Sequence, residues 1–449
     1  MGKSLIVPNS PRQKENKRSM SFFPFTLHRA TTLLRLHWLL RKKQTCSSFS
    51  PIPGRLLYVA ASCLPYHISG YTSRTHELLC TLRADGGDVR VVTRTGYPWD
   101  RRDSLCLPEA EATVIDDVTY THSHTPRNNR FTAVYAAQAS VVLEAYARSQ
   151  RVAVIHAASN HVNALPALIA ARRLGLPFQY EMRGLWELTR ASRQPSFENS
   201  HNYHLGLELE GFVATHADRV FVISRQLGHY ARQRWNIPES RLSLLPNCVD
   251  GERIKPAPHD VAIPLCIGYA GSLINYEGLD TLVDAMALLR QRGITASLHI
   301  MGEGEARAAL EVQTERLGLR DRIHFSGRLS PQEARARLSQ CALICIPRKP
   351  FQVCKVVPPL KLAEAQALGK AVVVPDLPVF RDELGEQPAG WFFHAGNAEH
   401  LADVLSAALA NPVLLAEKGR QGRKHVLACR QWRQFTQGIL QLGKSDIDR

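Results

Sequence analysis

The sequence predicts an α/β protein made of two doubly wound parallel-sheet domains that face a shared cleft. Three observations carry this. Short apolar runs alternate with helical patterns from residue 55 to about 245, a proline-rich stretch breaks the rhythm at 246–264, and the alternation restarts and continues to about 430. Runs of four to six apolar residues between helices suit strands covered on both faces. At 449 residues the chain is also too long for one typical core.

In the first half, strands are expected at 56–60, 89–92, 152–155, 178–180, 220–223 and 242–245, with helices at 74–82, 133–149, 161–174, 203–216 and 225–234. Pro246, Pro256, Pro258 and Pro264 then interrupt any regular element, because proline removes an amide donor. The second half reads as strands at 265–270, 296–301, 322–326, 342–346, 371–374 and 391–393. Its helices fall at 278–291, 305–316, 331–339 and 359–368, with two more to about 430. The expected division is a basic extension over 1–54, a domain over 55–255, a linker over 256–264, a second domain over 265–430, and a tail or helix over 431–449. Ligands of such sheets bind beyond the strand C-termini, so the cleft is the expected site.

Composition narrows the class. With 45% hydrophobic and 21% charged residues, the chain reads as an ordinary soluble globular protein. Its net charge of +16 is unevenly spread: residues 1–50 hold ten Lys/Arg against Glu15 alone, which is +9, leaving +7 for the rest. That excess suits an anionic substrate or membrane and does not call for nucleic acid. The ten cysteines show no Cys-x-x-Cys or paired Cys/His spacing, so neither a disulfide framework nor a metal site is expected, and a reducing compartment is. No window reaches the length of a membrane span. Residues 21–40 come nearest, but Arg29 and Arg35 interrupt them before Arg41-Lys42-Lys43. Basic residues beside Phe, Leu and Trp suit a helix lying on an anionic membrane. A disordered tail, a transit peptide and a stretch upstream of the true start are the other readings.

The most informative segment is Val356-Val357-Pro358-Pro359-Leu360-Lys361-Leu362-Ala363-Glu364-Ala365-Gln366-Ala367-Leu368-Gly369-Lys370. It puts Lys361 and Glu364 on the first turns of a helix, where unpaired N–H groups and the helix dipole favour phosphate oxygens. A surface Lys/Glu pair is the plainer alternative. Gly268 and Gly271 leave room for backbone amides to approach a diphosphate, or simply make a tight turn. Arg348 follows a strand where a cleft-facing loop belongs, and arginine grips phosphate in a fork that lysine cannot match; a solvated charge is the alternative.

Together, Ile267-Gly268-Tyr269-Ala270-Gly271-Ser272, Tyr276-Glu277-Gly278-Leu279-Asp280, Met301-Gly302-Glu303-Gly304, Leu245-Pro246-Asn247-Cys248-Val249-Asp250 and Glu364-Ala365-Gln366-Ala367-Leu368-Gly369-Lys370 resemble glycosyltransferase family 4. The words Ser69-Gly70-Tyr71-Thr72-Ser73-Arg74 and Tyr180-Glu181-Met182-Arg183-Gly184-Leu185-Trp186-Glu187 are similar to a bacterial, surface-polysaccharide branch of it. The resemblance implies the GT-B fold of two Rossmann-like domains and retaining transfer of a sugar from a nucleotide-sugar to a glycan or lipid-linked acceptor. It implies catalytic roles for Glu364 and His156. Donor binding falls to Gly271, Ser272, Arg348, Lys361 and Gly302, and an acceptor side to Gly70, Arg183 and Glu187.

The chain departs from the family pattern at three places. Val356 stands where the first glutamate of Glu-x7-Glu is common, and Ser272 and Glu277 stand where a phosphate-loop arginine and lysine are common. Since a carboxylate would repel a diphosphate, Glu277 is expected to point elsewhere. No cofactor or metal is expected, since the one Asp-x-Asp, Asp446-Ile447-Asp448, lies in the terminal four residues. The expected location is cytoplasmic, peripheral to the inner membrane face. A nucleotide-sugar epimerase and a catalytically impaired sugar-binding or scaffold protein remain as alternatives.

Overall fold

The computed structural model describes residues 22–41 and 49–441, apart from 102, 105, 106, 108, 109, 257–261, 386 and 387. Asp446 and Asp448, and most of the expected linker, therefore lie outside the described residues.

The first sheet has eight strands: β1 (Leu56–Ala60), β2 (Val89–Thr93), β3 (Ala112–Ile115), β4 (Val118–Thr121), β5 (Val154–Ala158), β6 (Phe178–Met182), β7 (Arg219–Val222) and β8 (Leu242–Leu244). Their order is β3-β4-β2-β1-β5-β6-β7-β8, parallel except for β3 against β4. That hairpin was not expected from the sequence. Its turn is Asp116-Asp117, both with positive φ, a pairing that gives a two-residue turn without the usual glycine.

The second sheet contains β9 (Ile263–Ala270), β10 (Ser297–Met301), β11 (Ile323–Phe325), β12 (Cys341–Cys345), β13 (Ala371–Pro375) and β14 (Gly390–Phe393). It is wholly parallel, in the order β11-β10-β9-β12-β13-β14. Counted from β9 this is 3-2-1-4-5-6, and the chain reverses direction across the sheet between β9 and β12. A crevice for ligand opens at such a reversal. Fully buried runs such as Ala371–Pro375 show why: helices cover both faces, leaving the strand ends as the accessible edge.

Two helices outside the sheets pack on the first domain. Residues 22–41 are not a disordered tail: they form the helix Phe22–Arg41, with Thr32, Leu36 and Leu39 buried against the helices Thr132–Gln150, His161–Leu174 and His201–His216. Its opposite side carries Leu34 and Trp38, which are 67% and 61% exposed. At the other end, the helix Arg433–Leu440 crosses back to the first domain. There Trp432 Nε1 donates to Glu77 at 3.0 Å, and Thr436 Oγ1 donates to Asp85 at 2.6 Å.

Candidate active site

The crevice between β9 and β12 holds a compact charge cluster. β9 ends at Ala270 and passes through Gly271, at φ +153°, into the turn Asn275–Glu277 and the helix Leu279–Gln291. A Cβ at Gly271 would lie 2.6 Å from Lys361 Nζ, so only glycine lets that lysine cross the loop. Gly302 has a related reason: its Cβ would lie 1.8 Å from the Gly271 carbonyl oxygen. Gly302 therefore supports the Gly271 loop through close backbone packing. Ser272 is exposed beside it.

Glu277 does not point away, as the sequence suggested. Its carboxylate is buried between the two cations: Arg348 donates from Nη2 and Nε at 2.8 and 3.2 Å, and Lys361 Nζ donates at 2.8 Å. Burial alone would raise the Glu277 carboxyl, but the Arg348 and Lys361 charges outweigh it and hold the group at about 2. Lys361 also donates to Tyr269 Oη at 2.7 Å and lies over its ring. Two cations and one carboxylate leave a single net positive charge in a site shielded from water, where charge acts at longer range.

Lys361 and Glu364 sit on the helix Leu360–Ala367, as expected. The Glu364 side chain is 32% exposed, and its nearest cation is Arg335 at 4.0 Å. Burial raises this carboxyl, against the Arg335 and Lys361 charges. Across the crevice, Gly70 opens the helix Gly70–Ala84, and a Cβ there would lie 3.8 Å from the Leu360 side chain. Gly70 therefore faces the start of the Lys361 helix from the other domain.

The segment before that helix is held by both domains. Ser224 Oγ donates to the Val356 carbonyl at 2.5 Å, and Asn247 Nδ2 donates to the Pro358 carbonyl at 2.9 Å. From the second domain, Arg348 Nη1 donates to the Val357 carbonyl at 2.9 Å. The Val356 side chain is buried in the core, so no polar group is offered where the family commonly has its first glutamate.

Three expected site residues are enclosed. His156, 0% exposed, stacks on Tyr58, donates from Nδ1 to Gln179 Oε1 at 2.9 Å and lies 3.4 Å from Glu181. With both ring nitrogens engaged inside the sheet, it cannot reach a substrate in this arrangement. Arg183 is also buried; it donates to Glu181 at 2.9 Å and to Thr75 Oγ1 at 2.6 Å, and lies over the Tyr71 ring. Glu187 packs near His161 and Glu210, where burial, then the Glu210 charge, pushes it up to about 7. Buried polar groups need partners: His156 and Arg183 have them away from the cleft, whereas Glu187 is buried with Oε2 lacking a hydrogen-bond partner among the described residues.

The sequence reading missed what they support. Arg74 pairs with Glu181 at 2.9 Å and donates to the carbonyls of Leu245 and Pro246, so it ties the first domain to the Asn247 segment. Tyr71 is partly exposed and bonded to Ser159 at 2.7 Å. Both lie within the motif that contains Gly70, and the run Tyr71-Thr72-Ser73-Arg74 was the available signal.

The chain matches two family descriptions, "Glycosyl transferases group 1" over residues 258–425 and "Glycosyl transferase 4-like domain" over 69–248, together more than three quarters of its length. It is 28% identical over 174 residues to phosphatidyl-myo-inositol mannosyltransferase of Mycobacterium leprae, a match covering 38% of this chain and 45% of that relative. The matched region thus spans less than half of the relative. Among solved structures, sucrose-phosphate synthase from Thermosynechococcus elongatus superposes with a TM-score of 0.70 at 18% identity, covering 88% of this chain and 99% of the other. Anabaena HepE in complex with UDP gives 0.65 at 16%, covering 86% and 98%. Two parallel α/β domains, a crevice at the sheet reversal and both family matches agree: the chain belongs to the group 1 glycosyltransferases and has the GT-B fold.

Proposed function

We propose that the protein is a retaining glycosyltransferase that moves a sugar from a nucleotide-sugar to a glycan or lipid-linked acceptor, without a metal, in surface polysaccharide or glycoconjugate synthesis. The observation that carries this reading is the Gly271 loop with Arg348, Lys361 and Glu277 at the reversal of the second sheet. As the glycosidic bond breaks, negative charge develops on the departing diphosphate. Fixed cations and a helix N-terminus stabilise that charge without needing a divalent ion. In this reading Lys361 and the amides at the start of its helix receive the diphosphate, and Arg348 keeps Lys361 and Glu277 in register. Glu364 accepts hydrogen bonds from donor hydroxyls, and Gly70 and Tyr71 border the acceptor side.

The membrane face belongs to the same proposal. No described helix is long and apolar enough to cross a membrane. The helix Phe22–Arg41 instead offers Leu27, Leu34 and Trp38 outward beside Phe131, with Arg35 and Arg41 on the same element. Apolar side chains flanked by arginines suit the headgroup region of an anionic bilayer. The free thiols of the eight described cysteines suit a reducing, cytoplasmic setting.

The test is nucleotide release from a panel of nucleotide-sugars, with and without acceptor lipid and with and without EDTA. The product anomer is then assigned by NMR. Acceptor-dependent release unaffected by EDTA, with the donor anomer kept, is the expected result. Conversion of the free nucleotide-sugar without transfer would favour an epimerase, and binding without turnover would favour a sugar-binding scaffold.

A further inference from the structure

Away from the cleft, the second sheet brings together three side chains that nothing in the transfer reaction uses. Cys266 lies on β9, His299 on β10 and Cys341 at the start of β12. Their ligand atoms all fall within 4.8 Å of one another, and this is the only such grouping among the described residues. Cys266 lies four residues before the cleft end of β9, roughly 13 Å at the rise of a strand. The two sulfurs are therefore set back from the Gly271 loop, and His299 lies two residues before the end of β10.

The backbone is arranged for this meeting. β9 carries an irregularity opposite β12: Cys341 pairs with Ile263 and Leu343 with Ile267, so two extra residues are taken up on β9. Leu265, inside that bulge, has φ +57°, a conformation unfavourable for a branched side chain. Bulges re-aim side chains, and this one leaves the Cys266 sulfur 3.6 Å from that of Cys341. His299 stands opposite Gly268 in the β9–β10 ladder. A Cβ at Gly268 would lie 2.7 Å from the Cys341 sulfur, so the missing side chain is what allows the thiol to lie across β9.

The spacing fits a shared metal. Two sulfurs each about 2.3 Å from a tetrahedral zinc stand about 3.8 Å apart, close to the observed separation and far from the bonded distance of a disulfide. Both thiols are buried, while His299 is half-buried, so the site is open on the histidine side. Two thiolates, one imidazole and one open position form a donor set that selects a borderline-soft cation over Mg2+ or Ca2+.

We propose that Cys266, His299 and Cys341 form a site for one zinc-class ion, which would fasten β9, β10 and β12 to one another across the face of the sheet. The site lies apart from the transfer chemistry proposed above, so EDTA would lower thermal stability without stopping turnover on short exposure.

The experiment uses the full chain, stripped of metal under a reducing agent and titrated with Co2+. One equivalent should bind, with a thiolate-to-cobalt charge-transfer band and the visible bands of a tetrahedral ion. Cys341→Ser should abolish the charge-transfer band. His299→Ala, at the half-buried position, should weaken binding by about tenfold or more. Because the serine variant perturbs a buried strand, a second measurement stands beside it. Zn2+ should raise the thermal midpoint of the wild type and should raise that of His299→Ala much less at the same concentration. No charge-transfer band in the wild type, or a band unchanged in Cys341→Ser, overturns the proposal. So does rapid diamide oxidation of Cys266 and Cys341 to a disulfide that saturating Zn2+ fails to slow.

Discussion

Lys361 Nζ and a Glu277 carboxylate oxygen stand 2.8 Å apart. This pair joins the turn after β9 to the helix bearing Glu364, which fall 84 residues apart in sequence. It also changes how the departure from the family pattern reads. A carboxylate at 277 is tolerated because two cations meet it, and the positive charge left over sits on Lys361 and Arg348.

Glu277→Gln is expected to destabilise the protein. The carboxyl is held near 2 in the fold against an ordinary value of 4.5, so its contribution is fully present above about pH 4.5 and is lost as pH falls toward 2. The difference corresponds to about 3 kcal/mol for a buried group. Denaturant midpoints measured at pH 7 and pH 3 should therefore converge in the variant relative to wild type. An unchanged midpoint at pH 7 would remove the carboxylate from the stability argument.

Lys361→Ala should weaken nucleotide-diphosphate binding by about tenfold or more, the cost of one charge-assisted contact. Arg348→Ala should lose affinity and stability together, because it leaves Glu277 with one partner and frees the Val357 carbonyl. Calorimetry and thermal melts on both variants separate the two effects. Full affinity in Lys361→Ala would leave the diphosphate to the Gly271 loop alone.

Glu364→Gln should retain its fold, since the side chain is a third exposed and makes a single long contact to Arg335. Transfer should fall by roughly ten- to a hundredfold, the range for a charged hydrogen bond lost in the transition state. Steady-state rates with a saturating donor decide this. Unchanged turnover would confine Glu364 to structure.

Leu27→Glu with Leu34→Glu should reduce pelleting with anionic vesicles by about tenfold or more while leaving activity on a soluble acceptor intact, since burial of each leucine contributes on the order of 2 kcal/mol. Leu36→Glu, on the packed side of the same helix, should instead unfold it. Removing residues 1–49 is expected to cost stability, because it strips the helix that covers part of the first core. Equal vesicle binding by the leucine double variant at low salt would move the membrane face elsewhere.

Strands were legible because burial on both faces forces continuous apolar runs, and the helix bearing Lys361 and Glu364 was legible because its motif is local. The hairpin at β3 and β4 was not, because each strand is only four residues long, β3 lies half-exposed at the sheet edge, and their turn uses Asp116-Asp117. His156 misled for a different reason. A polar residue in an apolar strand reads as functional, yet its partners Gln179 and Glu181 arrive from a neighbouring strand and close it off. A longer separation in sequence hid Arg74 with Glu181. It also hid Cys266, His299 and Cys341, whose spacings follow no metal motif because three separate strands deliver them.

The stretch from Val356 to Pro359 is gripped by Ser224 and Asn247 on one side and Arg348 on the other. Any swing that widens the crevice must break the first two of those bonds or drag the Lys361 helix with it. In the proposed reaction, release of a spent nucleotide would then be tied to separation of the two halves. The hydrogen bonds that resist it never touch the sugar.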